Sequence, residues 1–90
     1  MKIESEKLLE AKLGKRIKAM GGWSIKMLST HVWGLPDRIC LLPGGRVIFA
    51  EVKTTKKKPS KVQIIVHKKL RDLGFTVLVI DRTSQIEEII

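Results

Sequence analysis

The chain has 90 residues, 43% of them hydrophobic, and sets 18 Lys and Arg against 9 Asp and Glu, for a formal net charge of +9. That length supports one modest core and not two, so a single domain over residues 1–90 is expected. No stretch approaches the roughly 20 apolar residues that cross a bilayer, and the N-terminus MKIESEKLLEAK is charged where a signal peptide is apolar. A cytoplasmic protein with no membrane partner follows as the expectation. Cys40 is the one cysteine, which forbids an internal disulfide and makes it a candidate for core filler. With a pI near 10.1, the first partner to consider is a polyanion, because clustered cations release counterions from a phosphate backbone. Charge alone does not separate DNA, RNA, a ribosome or an acidic membrane surface, and it fits a binding module as well as an enzyme.

From about Ser5 to Met20, Leu9, Leu13, Ile17 and Met20 recur at helical spacing, and Gly21-Gly22 supplies the stop. Glu6 and Glu10 fall on or beside that apolar stripe; an acid at the helix N-terminus explains Glu6 better than Glu10. Trp23 to Leu28 reads as a short strand, Ser29 to Pro36 as a loop, Arg38 to Leu42 as a second strand and Arg46 to about Thr54 as a third, with Pro43-Gly44-Gly45 as the turn between the last two. Ser60 and Gln63 form a capping-box signal for a helix that ends near Gly74, with Val62, Val66, Leu70 and Leu73 as its expected apolar face. The run FTVLVI, Phe75 to Ile80, reads as a strand buried on both sides, and Ser84 with Glu87 as a second capping box for a short final helix. Helix, three strands, helix, strand and short helix make an α/β architecture with one mixed central sheet flanked by helices.

The chemistry concentrates between Gly34 and Lys58, GLPDRICLLPGGRVIFAEVKTTKKK. Side chains alternate along a strand, so Glu51 and Lys53 share a face. A three-residue Pro43–Gly45 loop puts Leu42 opposite Arg46 and therefore Asp37 opposite Glu51, whereas a two-residue loop turns Asp37 to the wrong face unless a bulge corrects it. Two carboxylates so close repel, and a divalent cation relieves that; oxygen ligands with room for water and a phosphate suit Mg²⁺ or Mn²⁺. Lys53 is then placed to stabilise charge on a reacting phosphate. The plainer alternative is an Asp that turns a loop beside an ordinary exposed Glu–Lys strand pair.

Pro36-Asp37 followed by Glu51-Val52-Lys53 resembles the PD-(D/E)xK nuclease superfamily, whose αβββαβ core has the order read above. More narrowly, the chain resembles the VRR-NUC (virus-type replication-repair nuclease) family. The resemblance runs through Leu9-Glu10, Gly21-Gly22 with Lys26, Gly34 to Arg38, Leu42 to Val47, Phe49 to Lys53, Ser60 with Gln63, and Leu70 to Gly74 leading into Val77 to Asp81. It implies a restriction-endonuclease-like fold in which Asp37, Glu51, the Val52 carbonyl and the helix-one glutamate, Glu10 with Glu6 as the weaker candidate, ligate the metal. Lys53 becomes the catalytic lysine, and Gln63 sits close to the active site as well as in its capping box. Lys26 and Arg38, from the matching segments, join the Lys56-Lys57-Lys58 run and Lys61 as DNA-binding residues. The chain departs from the family in the loop Ser29 to Trp33, where His31 could approach a phosphate and Trp33 could stack on a base, or both could be structural.

The resemblance further implies a stand-alone homodimeric endonuclease, of bacterial or phage origin, that cuts four-way (Holliday) DNA junctions with Mg²⁺ or Mn²⁺ and no small-molecule cofactor. Two symmetric cuts ask for two active sites, which a two-fold dimer supplies. Two rivals stand beside it, a metal nuclease acting on other branched DNA, flaps or RNA, and a non-catalytic basic nucleic-acid-binding module.

Overall fold

Helix α1 (Glu6–Ala19) begins where the Ser5 hydroxyl accepts the Leu8 N–H at 3.1 Å, and it carries Glu6 in its first turn and Arg16 and Lys18 in its last, each charge favourable to the helix dipole. The computed structural model describes residues 2–28 and 31–90. Leu9, Leu13 and Ile17, spaced four apart, are fully buried against Cys40, Leu42, Ile48, Ala50, Val52 and Ile80, each such side chain contributing on the order of 2 kcal/mol. Cys40 is therefore core filler, as expected from its lone occurrence.

Strands β1 (Trp23–Lys26), β2 (Arg38–Leu42), β3 (Arg46–Val52) and β4 (Thr76–Ile80) form one sheet in the order β1-β2-β3-β4. The first three run antiparallel and β4 joins β3 in parallel, through the crossover helix α2 (Lys61–Asp72). A short helix α3 (Thr83–Glu87) closes the chain against α1 and β4. The even-numbered positions of β2 and β3 face α1 and α3; the odd-numbered ones face the side where α2 packs on β4. This is the mixed α/β sandwich expected from the pattern.

Four local expectations are corrected. β4 starts one residue after the expected Phe75 and lies at the sheet edge, with α2 on one face and α3 on the other; Phe75 precedes it 42% exposed, set edge-on to Phe49, with ring centroids 5.5 Å apart. The first and third strands are shorter than expected, ending at Lys26 and Val52. Of the expected apolar face of α2, Val66 and Leu70 do turn inward, beside Gln63 and His67, whereas Val62 and Leu73 are exposed. The cap of α3 uses Gln85, not Ser84 and Glu87: its Oε1 accepts the N–H groups of Asp81 at 2.7 Å and Arg82 at 3.2 Å, which starts the helix at Thr83.

The turn after β3 is tied to both chain ends. The Thr55 hydroxyl accepts the Glu4 N–H at 2.8 Å and donates to the Asp81 carbonyl at 2.8 Å, while the Asp81 carboxylate accepts the Lys56 N–H at 3.0 Å. Lys56 is held at φ 74°, a left-handed conformation that costs a lysine about 1 kcal/mol. Hydrogen bonds from Thr83, aided by Lys12, hold the Glu4 carboxyl down at about 2, so it stays ionised and clamps the N-terminus to the start of α3.

Candidate active site

Residue numbering along β2 and β3 sets the site. Leu42 pairs with Arg46 and Arg38 with Ala50, so the Pro43–Gly45 connection is the three-residue loop that brings Asp37 level with Glu51. Gly44 and Gly45 take φ 81° and 74°, values that glycine adopts without the steric cost of a side chain. Ahead of Asp37 the chain crosses the start of α2 so closely that a Cβ on Gly34 would meet Val62 at 2.8 Å. Pro36 is fully buried there, and the Asp37 Oδ2 accepts the Val52 N–H at 2.8 Å, locking the acid to the end of β3.

Glu51 is the centre of the cluster, 1% exposed. Burial lifts its pKa to about 7, the Asp37 charge adds to the rise, and Lys53 opposes it. The Lys53 Nζ lies 3.4 Å from Glu51 Oε2, and Gln63 Nε2 donates to the same oxygen at 3.0 Å. Gln63 keeps its capping role at the same time: its Oε1 accepts the Ser60 N–H at 2.8 Å, and the Ser60 hydroxyl accepts the Gln63 N–H at 3.2 Å. One turn further along α2, His67 Nε2 lies 3.7 Å from Glu51 Oε1, and both atoms are buried without a hydrogen-bond partner. Burial, together with Arg71 and Lys53, pushes the His67 pKa below its usual value, so the imidazole is neutral near pH 7.

Nothing in the sequence pattern singled out His67, since one histidine in an apolar stretch reads as an ordinary core residue. Its spacing of four from Gln63 was the available signal, because that spacing puts both on one helix face. Glu10 is half-buried on α1, with Oε1 3.6 Å from Nε of Arg38, the residue next to Asp37, and among the described residues no three His, Cys, Asp or Glu side chains are grouped to hold a metal. What the fold brings together is two carboxylates, Asp37 and Glu51, with the Val52 N–H bonded to the first.

A divalent oxyphilic cation fits this donor set. Two adjacent carboxylates, one of them buried and with its pKa raised by the other's charge, are an arrangement that a dication completes and that a lone proton satisfies only in part.

Of the expected DNA-binding residues, Lys56, Lys57 and Lys58 are exposed on the segment that leaves β3 for α2, Lys61 is exposed at the start of α2, and Lys26 is exposed at the end of β1. Arg38, paired in register with Lys26, is half-buried against Glu10. His31 is exposed and Trp33 is 84% exposed; Ser29 and Thr30 lie outside the described residues. No helix among the described residues is long and apolar enough to cross a membrane.

No protein-family model matches the chain. It is 36% identical over 81 residues, 90% of its own length and 87% of the relative's, to a protein described as "Putative nuclease p44" from Acyrthosiphon pisum secondary endosymbiont phage 1. A solved structure described as "VRR_NUC domain" superposes with a TM-score of 0.88 at 28% identity, covering 94% of each chain.

Proposed function

The chain belongs to the VRR-NUC family of nucleases, and from that premise we propose that residues 1–90 form a single metal-dependent endodeoxyribonuclease domain that cleaves branched DNA, four-way junctions first, as a homodimer. The observation that carries the reading is the register across a three-residue turn, in which Asp37, one residue beyond the Arg38–Ala50 pair, comes level with Glu51, with Lys53 Nζ 3.4 Å from the buried acid.

Asp37 and Glu51 would hold Mg²⁺ or Mn²⁺, and the Val52 carbonyl would be a further oxygen for it. Such an ion, when bound, neutralises charge on the phosphate and acidifies a water. Lys53 donates from Nζ to a phosphate oxygen as negative charge builds in the transition state. Gln63 fixes one Glu51 oxygen, so the carboxylate does not swing between Lys53 and the substrate. Lys56, Lys57, Lys58 and Lys61 hold the phosphates of the arms next to the end of β3, and Lys26 extends the basic surface. Glu10, held beside Arg38 next to Asp37, is the helix-one acid that would complete the ligand set.

Support for a second copy comes from the sheet. α2 packs on β4, and on the same face Ile25, Ile39, Leu41 and Val47 are only half-buried while Trp23 is 67% exposed. A protomer seated there covers an apolar surface and brings two active sites together for the paired cuts a junction needs. Action in the cytoplasm of a bacterial or phage-infected cell follows from a DNA substrate.

The test is cleavage of labelled four-way junction, duplex, flap and single strand with Mg²⁺ or Mn²⁺, using wild type, Asp37→Ala and Lys53→Ala. Paired cuts across the junction that vanish in both variants are expected. Equal cutting of plain duplex refutes the junction preference, and wild-type inactivity on every DNA substrate refutes the endonuclease reading.

A further inference from the structure

The cluster leaves one buried relationship without a role. His67 Nε2 and Glu51 Oε1 are both shut off from solvent, both lack a hydrogen-bond partner, and they face each other at 3.7 Å, too far for a hydrogen bond and too close for a water between them. Unsatisfied buried polar atoms are destabilising, so two that point at one another are a pair waiting for a small closure. The opposite oxygen of the same carboxylate is already held by Gln63, four residues earlier on the same helix. Two consecutive turns of α2 thus address the two oxygens of one carboxylate.

We propose that His67 is a positioning residue for Glu51: its Nε2–H donates to Oε1 when the carboxylate takes up a divalent cation, so that α2 grips Glu51 from both oxygens and fixes the direction in which the carboxylate offers its lone pairs. The inference rests on the metal-site reading of Asp37 and Glu51. An outer-shell donor orients a ligand and lowers the entropy lost on metal binding, and its removal typically weakens metal affinity by about 10–100-fold. A neutral imidazole suits this role because it donates one hydrogen bond without adding a positive charge against the incoming cation.

The experiment is calorimetric titration of Mn²⁺ into the DNA-free protein, with the thermal midpoint measured in EDTA, for wild type, His67→Leu and His67→Gln. Leu fills the space without a donor; Gln restores an N–H near the position of Nε2. His67→Leu is expected to lose roughly tenfold or more in Mn²⁺ affinity with its EDTA midpoint kept or raised, because it deletes an unsatisfied buried atom, while His67→Gln recovers most of the affinity. Should His67→Leu fail to fold, His67→Met, an apolar side chain of similar size that also lacks a donor, takes its place with the same expected loss. Wild-type affinity in His67→Leu, or a tenfold loss in a well-folded His67→Gln, overturns the positioning role. A wild type that takes up no Mn²⁺ overturns the metal-site reading and this proposal together, and is recognised because all three proteins then behave alike.

Discussion

Gln63 joins two structures that are usually separate: its Oε1 accepts the Ser60 N–H at 2.8 Å to cap α2, and its Nε2 donates to Glu51 Oε2 at 3.0 Å. The start of the helix and the site carboxylate are therefore set by one side chain. Gln63→Ala removes both bonds and is expected to cost about 1 kcal/mol, a fall in the melting midpoint of roughly 4–8 °C for a domain of this size. Gln63→Glu keeps the acceptor for Ser60 but sets a second carboxylate against Glu51. It should lose more activity than stability, with kcat down about tenfold or more and a midpoint nearer wild type than the alanine variant. A glutamate variant that cleaves at the wild-type rate shows that Gln63 only caps.

The β2–β3 connection was legible in the sequence because strand periodicity and a Pro-Gly-Gly turn together leave few registers, and the pairing of Leu42 with Arg46 is the one that a three-residue loop dictates. The capping box at Ser60 and Gln63 was legible for the same kind of reason, a local rule acting over three residues. The orientation of α2 was not. Four apolar residues at helical spacing suggested an inward stripe, yet burial of Gln63 and His67 near Glu51 turns the helix so that Val62 and Leu73 face outward. A tertiary contact with a charged partner decided that rotation, and hydrophobic periodicity carries no information about it. The Glu10–Arg38 contact was hidden likewise, since it joins α1 to a strand distant in sequence.

Shortening the turn tests the register directly. Deleting Gly44 leaves a two-residue connection whose natural pairing moves Asp37 to the α1 side of the sheet. The expected result is a protein that no longer gains thermal stability from Mn²⁺, whereas wild type gains in proportion to RT ln(1 + [L]/Kd). Circular dichroism distinguishes loss of the site from loss of the fold. A metal-dependent shift equal to wild type in the deletion variant means the two carboxylates do not depend on that turn.

Glu51 gives a pH signature of unusual sign for an acid. Its folded pKa, about 7, lies above the ordinary 4.5 because burial and the Asp37 charge disfavour ionisation. Between those values the native state holds a proton that the unfolded chain has released, so stability falls as pH rises from 4.5 through 7; the interval is worth at most about 3 kcal/mol. His67, whose pKa burial moves below its ordinary 6.5, contributes the opposite slope in the acid part of that window. The informative quantity is therefore the difference between wild type and Glu51→Gln in urea unfolding, in EDTA, at pH 5.5 and pH 8. Glu51→Gln is expected to gain on wild type at pH 8, and Mn²⁺ should stabilise wild type more at pH 8 than at 5.5. A stability difference that does not change with pH contradicts the raised pKa.

Lys56 combines a strained backbone with an expected phosphate contact. Its φ of 74° is held by the bond from its N–H to the Asp81 carboxylate. Lys56→Gly keeps the N–H and removes the side-chain strain, so stability should hold or rise by up to about 1 kcal/mol. The same change deletes one cation, and the slope of log K against log salt for junction binding should fall by about 1. An unchanged slope places Lys56 away from the DNA.

The half-covered sheet face makes the assembly testable through Trp23, which is 67% exposed and lies in register with Leu41 and, through it, Val47. Buried in a dimer, an aromatic of this size contributes on the order of 2 kcal/mol, and a glutamate in its place adds the cost of desolvating a charge. Trp23→Glu is therefore expected to convert a dimer at micromolar concentration into a monomer by light scattering, with the folded state intact because the side chain is exposed in the monomer. If the two cuts on a junction come from two protomers, the monomeric variant should nick single strands and lose the paired products while Asp37, Glu51 and Lys53 remain in place. A wild type that is monomeric at high micromolar concentration, or a Trp23→Glu variant that stays dimeric, moves the interface off this face of the sheet.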